Sequence, residues 1–133
     1  MVFNTHFDHQ GNQARTESAK LIIRKIKELN TENLPVILTG DFNLTPEQAP
    51  IAIITSELKD SRSISKEKPY GPTGTFNGFK FDSPLKDRID YVFVNDQSEV
   101  KQYGVFTDSK DQRYPSDHLP VFVNLELKGA KKQ

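Results

Sequence analysis

From Gln13 to Leu29 the apolar residues Ala19, Ile22, Ile23, Ile26 and Leu29 recur at three- and four-residue spacings, with Glu17, Lys20, Arg24, Lys27 and Glu28 on the other side. That period predicts an amphipathic helix. Met1 to Thr5 ahead of it reads as a short strand ending at His6-Phe7-Asp8-His9. Behind it, after Asn30-Thr31-Glu32-Asn33, Pro35 to Thr39 reads as a buried strand. A strand, helix, strand order predicts two parallel strands, because the crossover returns the chain to the same end of the sheet. Pro46 to about Leu58 is expected to form a second helix capped by Thr45, with Pro46 in its first turn. Asp60 to Thr73 is rich in Ser, Lys, Pro and Gly without an apolar period, and reads as a long surface loop of the kind that carries substrate contacts. Thr75 to Phe79 reads as a short strand with a turn. Ile89 to Val94 is an apolar run broken by Asp90, and Val100 to Thr107 is expected to pair with it across Asn95-Asp96. Leu119 to Leu127 is the last predicted strand, and residues 129–133 are expected to fray.

The 133 residues amount to one domain, with no internal repeat or linker. The formal net charge is zero, so phosphate recognition would have to come from a local arrangement rather than from the field of the whole chain. The absence of cysteine excludes a disulfide framework and a thiolate metal site and leaves the compartment open. No apolar run reaches membrane-spanning length. Met1 leads straight into Val2-Phe3-Asn4-Thr5-His6, with no basic region or apolar segment of a signal peptide ahead of it. A strand at the first residue suggests that the chain begins inside a larger fold.

Four polar clusters interrupt the apolar pattern: Asn4-Thr5-His6, Gly40-Asp41-Phe42-Asn43, Arg88-Ile89-Asp90-Tyr91 and Ser116-Asp117-His118. The first two end parallel strands and the last two begin later strands. If the later strands run antiparallel to the earlier ones, all four clusters meet at one rim. Each also has an ordinary structural reading. Gly40 to Asn43 would suit a turn, and His6 would suit a hydrogen-bonded strand end. Asp90 in an apolar strand needs a partner to offset its desolvation. His118 would serve, with Asp90 fixing its tautomer; Arg88, two residues away on the same strand face, is the structural alternative. Asp117 is either a turn acid or a metal ligand. Together these histidines, acids and amide suit phosphoryl chemistry. Mg²⁺ would be held by few protein oxygens and several waters, while histidine and carboxylate activate water.

The ordered set Asn4-Thr5-His6, Gly40 to Asn43, Arg88 to Val94 and Ser116 to Val121 resembles the endonuclease/exonuclease/phosphatase superfamily of metal-dependent phosphoesterases, which includes deoxyribonuclease I-like nucleases and phosphatases. The resemblance implies an α/β fold, the C-terminal half of a four-layer sandwich of the deoxyribonuclease I-like type, with a mixed sheet and helices on one face. Residues 1–128 would form that partial domain. It implies a catalytic set of His6, Asp41, Asn43, Asp90 and His118. His6 and Asn43 would contact the phosphate, Asp41 would position water or a second metal, and Asp90 would orient His118. Asp117 would approach the metal, Mg²⁺ or Mn²⁺. No role falls to Asp8 or His9.

The family's N-terminal half, which carries its principal metal-binding glutamate, has no counterpart in these residues. Weak metal binding and self-association through an uncovered apolar sheet face are therefore expected. The substrate would be a phosphate ester of a small molecule, a lipid head group or a nucleic acid. Arg62, Lys66 and Lys68 read as a solvated loop rather than a basic stripe, which argues against duplex DNA. A module that binds phosphate esters without hydrolysing them is the alternative.

Overall fold

In the computed structural model, which describes residues 1–129, strand β1 (Val2–His6) and strand β2 (Ile37–Asp41) lie parallel, with Val2 opposite Ile37 and His6 opposite Asp41. Helix α1 (Asn12–Leu29) makes the crossover between them, burying Ala19, Ile23 and Ile26 as its period predicts. Strand β4 (Asp90–Val94) runs antiparallel along the other edge of β2, with Asp41 opposite Asp90. The two-residue strand β3 (Lys59–Asp60) closes this mixed sheet in the order β1-β2-β4-β3.

Residues two apart on a strand share a face, so one face of the sheet carries Leu38, Tyr91 and Phe93 beneath the helices. Phe42, fully buried just past β2, sits at the centre of that core, with ring centroids 4.7 Å from Phe7, 5.6 Å from Tyr91 and 5.3 Å from Phe93. Burying such a side chain contributes about 1.5–3 kcal/mol. It also holds the turn after β2 against the core, so the polar residues on either side of Phe42 face the rim. Gly40 permits the close approach of β1 to β2: a Cβ there would stand 1.9 Å from the Thr5 carbonyl oxygen.

The second helix is shorter than predicted. Thr45 to Gln48 forms a turn, the Gln48 N–H donating to the Thr45 carbonyl, and helix α2 (Ala49–Thr55) starts only where Pro50 can occupy its first turn. Thr45 accordingly does not cap it; Gln48 stands at the N-cap. The predicted loop from Asp60 contains α3 (Ser61–Ile64), capped by the Asp60 carboxylate, and its first residues Asp60 and Ser61 are buried. Thr75 to Phe79 is not a strand; only a single bridge joins Phe76 to His118.

Strand β5 (Ser98–Val105) pairs with β6 (Val121–Leu127) and not with β4. Both edges of β4 are occupied, by β2 and β3. Asn95 turns the chain away instead of closing a hairpin: its side chain accepts from the Val36 N–H at 3.0 Å and donates to the Leu34 carbonyl at 2.8 Å. The β5-β6 ribbon forms a separate sheet, packing Tyr103, Val105, Val121 and Val123 around Leu119. The face of β1 and β2 turned away from the helices stays open, with Val2 71% exposed, though Asn4 and Thr39 make it more polar than the expected apolar patch. The fraying expected for the tail falls, beyond Gly129, outside the described residues; Lys128 itself donates its N–H to the Gln97 carbonyl at 2.8 Å.

Candidate active site

Strand register builds the rim. Because His6 is opposite Asp41 and Asp41 is opposite Asp90, these side chains stand in one row across β1, β2 and β4, on the face away from the helices. His118, in the segment entering β6, closes on the row from above. Its Nδ1 is 2.8 Å from Asp90 Oδ2, and its Nε2 is 3.6 Å from Asp41 Oδ2. His6 Nε2 approaches the same Asp41 oxygen at 3.3 Å. Beside them a trough of about 430 Å³ runs along the open sheet face past Asn4, Thr39 and Leu119.

The Asp90–His118 pair decides between the two partners the sequence left for Asp90. Arg88 turns instead to Asp60, with Nη2 2.7 Å from Oδ2, in a pair buried against the Tyr91 ring. With Nδ1 engaged by Asp90, His118 keeps Nε2 directed at the rim, the nitrogen a general base would use. Burial alone would push the imidazole down, but the hydrogen bond and charge of Asp90, with the charges of Asp41 and Asp117, raise it above its ordinary 6.5. Burial likewise lifts the Asp90 carboxyl above 3.8, against hydrogen bonds from Thr75 and His118.

Asn43 has a different immediate contact from the one its motif suggested. Its backbone lies at φ 50, its N–H donates to Asp41 Oδ1 at 2.9 Å, and its carboxamide donates to the Phe7 carbonyl at 2.8 Å. The side chain thus ties the end of β1 to the end of β2, and the Asx turn leaves Asp41 Oδ2 for the histidines. Asp117 lies beside His118 but supplies backbone here, its carbonyl accepting from the Asn77 N–H at 2.8 Å. Asp8 and His9 pair with each other at 3.6 Å.

Two further residues support the rim. Thr75, fully buried, donates its hydroxyl to Asp90 Oδ2 at 2.7 Å, while its carbonyl accepts from the Leu119 N–H at 2.7 Å. Nothing in the local sequence distinguishes it from any loop threonine. Arg15, 7% exposed, donates from Nη1 to the Asn43 carbonyl at 2.7 Å. Its signal was available: it falls one turn ahead of Ala19 on the apolar stripe of α1, where a cation needs a buried partner.

One ligand atom each from Asp41, Asp90 and His118 lie within 4.8 Å of one another. Carboxylate oxygens with an imidazole nitrogen fit a divalent cation that retains water, as Mg²⁺ and Mn²⁺ do. Asp117 is outside this group.

Residues 3–118 match the sequence profile of the Endonuclease/Exonuclease/phosphatase family. A solved mannosyl-6-phosphatase from Bacteroides thetaiotaomicron is 43% identical, with a TM-score of 0.88 over 95% of this chain and 51% of its own. A protein of unknown function from Enterococcus faecalis is 31% identical, with a TM-score of 0.86 over 96% of this chain and 50% of its own. Among curated proteins, the carbon catabolite repressor protein 4 homolog 4 of Arabidopsis thaliana is 22% identical over 96% of this chain and 38% of its own length. The chain thus spans about half the length of these solved relatives and less of the curated one.

Proposed function

This chain belongs to the Endonuclease/Exonuclease/phosphatase family, and from that premise we propose that it forms the rim of a divalent-metal-dependent hydrolase of phosphate esters. The observation that carries the reading is the row His6, Asp41 and Asp90 closed by His118. His118 Nε2 takes the proton of an attacking water, and Asp90 holds the imidazole and stabilises its cation. His6, 74% exposed in its side chain, donates to a phosphate oxygen or to the departing alcohol. Asp41 orients the water, and Asn43 keeps Asp41 turned to the rim while its remaining carboxamide oxygen serves the substrate. A divalent cation would be held by carboxylate oxygens of Asp41 and Asp90, which leaves His118 Nε2 free for the proton, and when bound it would supply charge to the phosphoryl oxygens. The likeness to a mannosyl-6-phosphatase favours a monoester of a small molecule over a nucleic acid.

One observation favours a module that binds phosphate esters without turnover. Asp41 Oδ1 and Asp90 Oδ2 are both engaged by protein hydrogen bonds, so few oxygens remain for a cation. Hydrolysis of a phosphodiester and a panel of phosphomonoesters, with Mg²⁺, Mn²⁺ or chelator, separates the readings. Turnover abolished by chelator and by His118→Ala supports the hydrolase; binding of the same esters with no turnover supports the module.

A further inference from the structure

The β5-β6 ribbon has one open edge. β5 is covered on both sides, by β6 and by residues 66–70. The Lys66 and Glu67 N–H groups donate to the Val100 and Lys101 carbonyls, each at 3.1 Å, and the Tyr70 N–H donates to the Tyr103 carbonyl at 3.0 Å. On β6 the side toward β5 is the engaged one. The Phe106 N–H donates to the Pro120 carbonyl at 3.0 Å and the Lys128 N–H to the Gln97 carbonyl at 2.8 Å, so the even-numbered residues of β6 turn their backbone groups to β5. Val121, Val123, Leu125 and Leu127 therefore turn theirs outward, and among the described residues no strand pairs with them.

Folded proteins blunt an open edge with a short strand, proline, lysine, a bulge or an inward-pointing charge. β6 has none of these. It runs seven residues without proline or lysine, and the register shift between Val100 and Gln102 adds its extra residue to β5. Its one charge, Glu126, is exposed and lies 3.4 Å from Lys101. The strand is also complementary to itself. Run antiparallel about a two-fold axis at Asn124, it sets Val121 opposite Leu127 and Val123 opposite Leu125, on the face that packs against Tyr103 and Leu119. On the exposed face it sets Phe122 opposite Glu126. Apolar meets apolar, no like charges meet, and the outward N–H and C=O groups face each other as hydrogen-bonded pairs. The other open edge, β1, is shorter and turns Asn4 and His6 outward, so it offers no such apolar row.

We propose that β6 is a dimerisation edge, pairing antiparallel with the β6 of a second copy of this chain and joining the two ribbons into one sheet. Val121 lines the trough beside the rim, so Leu127 of the partner subunit stands next to that trough. The chain has no cysteine, and a single introduced thiol reports the register. At the axis the two Asn124 Cα atoms would stand about 4.5 Å apart, within disulfide reach. Asn124→Cys is expected to oxidise to a covalent dimer, whereas Glu126→Cys, which faces Phe122 across the axis, is not. The parent is expected to sediment as a dimer with the Val121, Val123, Leu125 and Leu127 amides protected from exchange. Asn124→Lys sets two ammonium groups together at the exposed axis. It should weaken the dimer about tenfold or more and release those amides, while the amides of β2 and β4 stay protected. A monomeric parent, a dimer in which the outward amides exchange freely, or equal cross-linking of the two cysteine variants overturns the pairing. Protection of these amides only when a different polypeptide is added also overturns it, and assigns the edge to that strand.

Discussion

Thr75 donates its hydroxyl to Asp90 at 2.7 Å, on the same carboxylate oxygen that meets His118 Nδ1 at 2.8 Å. One buried hydroxyl thereby fixes the rotamer of the acid that fixes the histidine, and the Thr75 carbonyl holds the segment leading from His118 into β6. Thr75→Val keeps the shape and removes the donor. It is expected to cost about 1–3 kcal/mol of stability and to change the His118 titration seen by NMR, while Thr75→Ser restores both. An unchanged His118 titration in Thr75→Val would show that the hydroxyl does not position the pair.

The raised imidazole has a defined pH consequence in chelator. His118 gains stability from its charged form when folded, so its contribution is fully present below its ordinary 6.5 and is lost as pH rises through the higher folded value. Asp90→Asn should bring the His118 midpoint down, since burial then acts without the carboxylate. Histidine titration by NMR in both proteins tests the sign; an upward move in the variant contradicts it.

Arg15 holds the turn that aims Asp41. Its guanidinium reaches the Asn43 carbonyl and the Asn12 side chain from a buried position on α1. Arg15→Met should lower stability by about 1–3 kcal/mol in urea unfolding, because a buried carbonyl loses a charged donor. The resonances of Asp41 and Asn43 should move while those of β5 and β6 stay; movement spread across both sheets would point to a general loss of packing.

The buried pair Arg88–Asp60 is structural. Arg88→Met alone should cost about 3–5 kcal/mol by leaving Asp60 uncompensated. Adding Asp60→Leu should recover much of that loss, as measured by a double-mutant cycle. Strict additivity of the two substitutions would show that the charges do not interact.

Metal binding is expected to depend on Asp41, whose Oδ2 lies between two histidines. Calorimetric titration with Mn²⁺ should show weak binding that Asp41→Asn removes. Asp117→Asn, altering a carboxylate outside the close group, should weaken it less. The reverse order would make Asp117 the principal ligand.

Residue patterns alone predicted the parallel β1-α1-β2 unit, because periodicity gives element type and a crossover gives strand direction; they allowed His6, Asp41, Asp90 and His118 to converge only on the condition that the later strands run antiparallel, which β4 does. They placed β2 two residues early and joined β5 to β4. A local alternation cannot report which strand edges are already occupied, and here β3, too short to carry a period, occupies the remaining edge of β4. The loop contributions were equally hidden, since Thr75 and Phe76 depend on contacts with residues far along the chain.

The amino-acid sequence by itself determined the family, the α/β class and the acids and histidines of the rim, since these follow from residue type, spacing and order. Only the tertiary structure decided that Asp90 pairs with His118 and Arg88 with Asp60, that the Asn43 carboxamide spans to Phe7, and that Arg15 and Thr75 stand behind them. The physical reason is that a buried polar group takes the partner that packing brings within hydrogen-bond reach, and that distance is set by the whole fold.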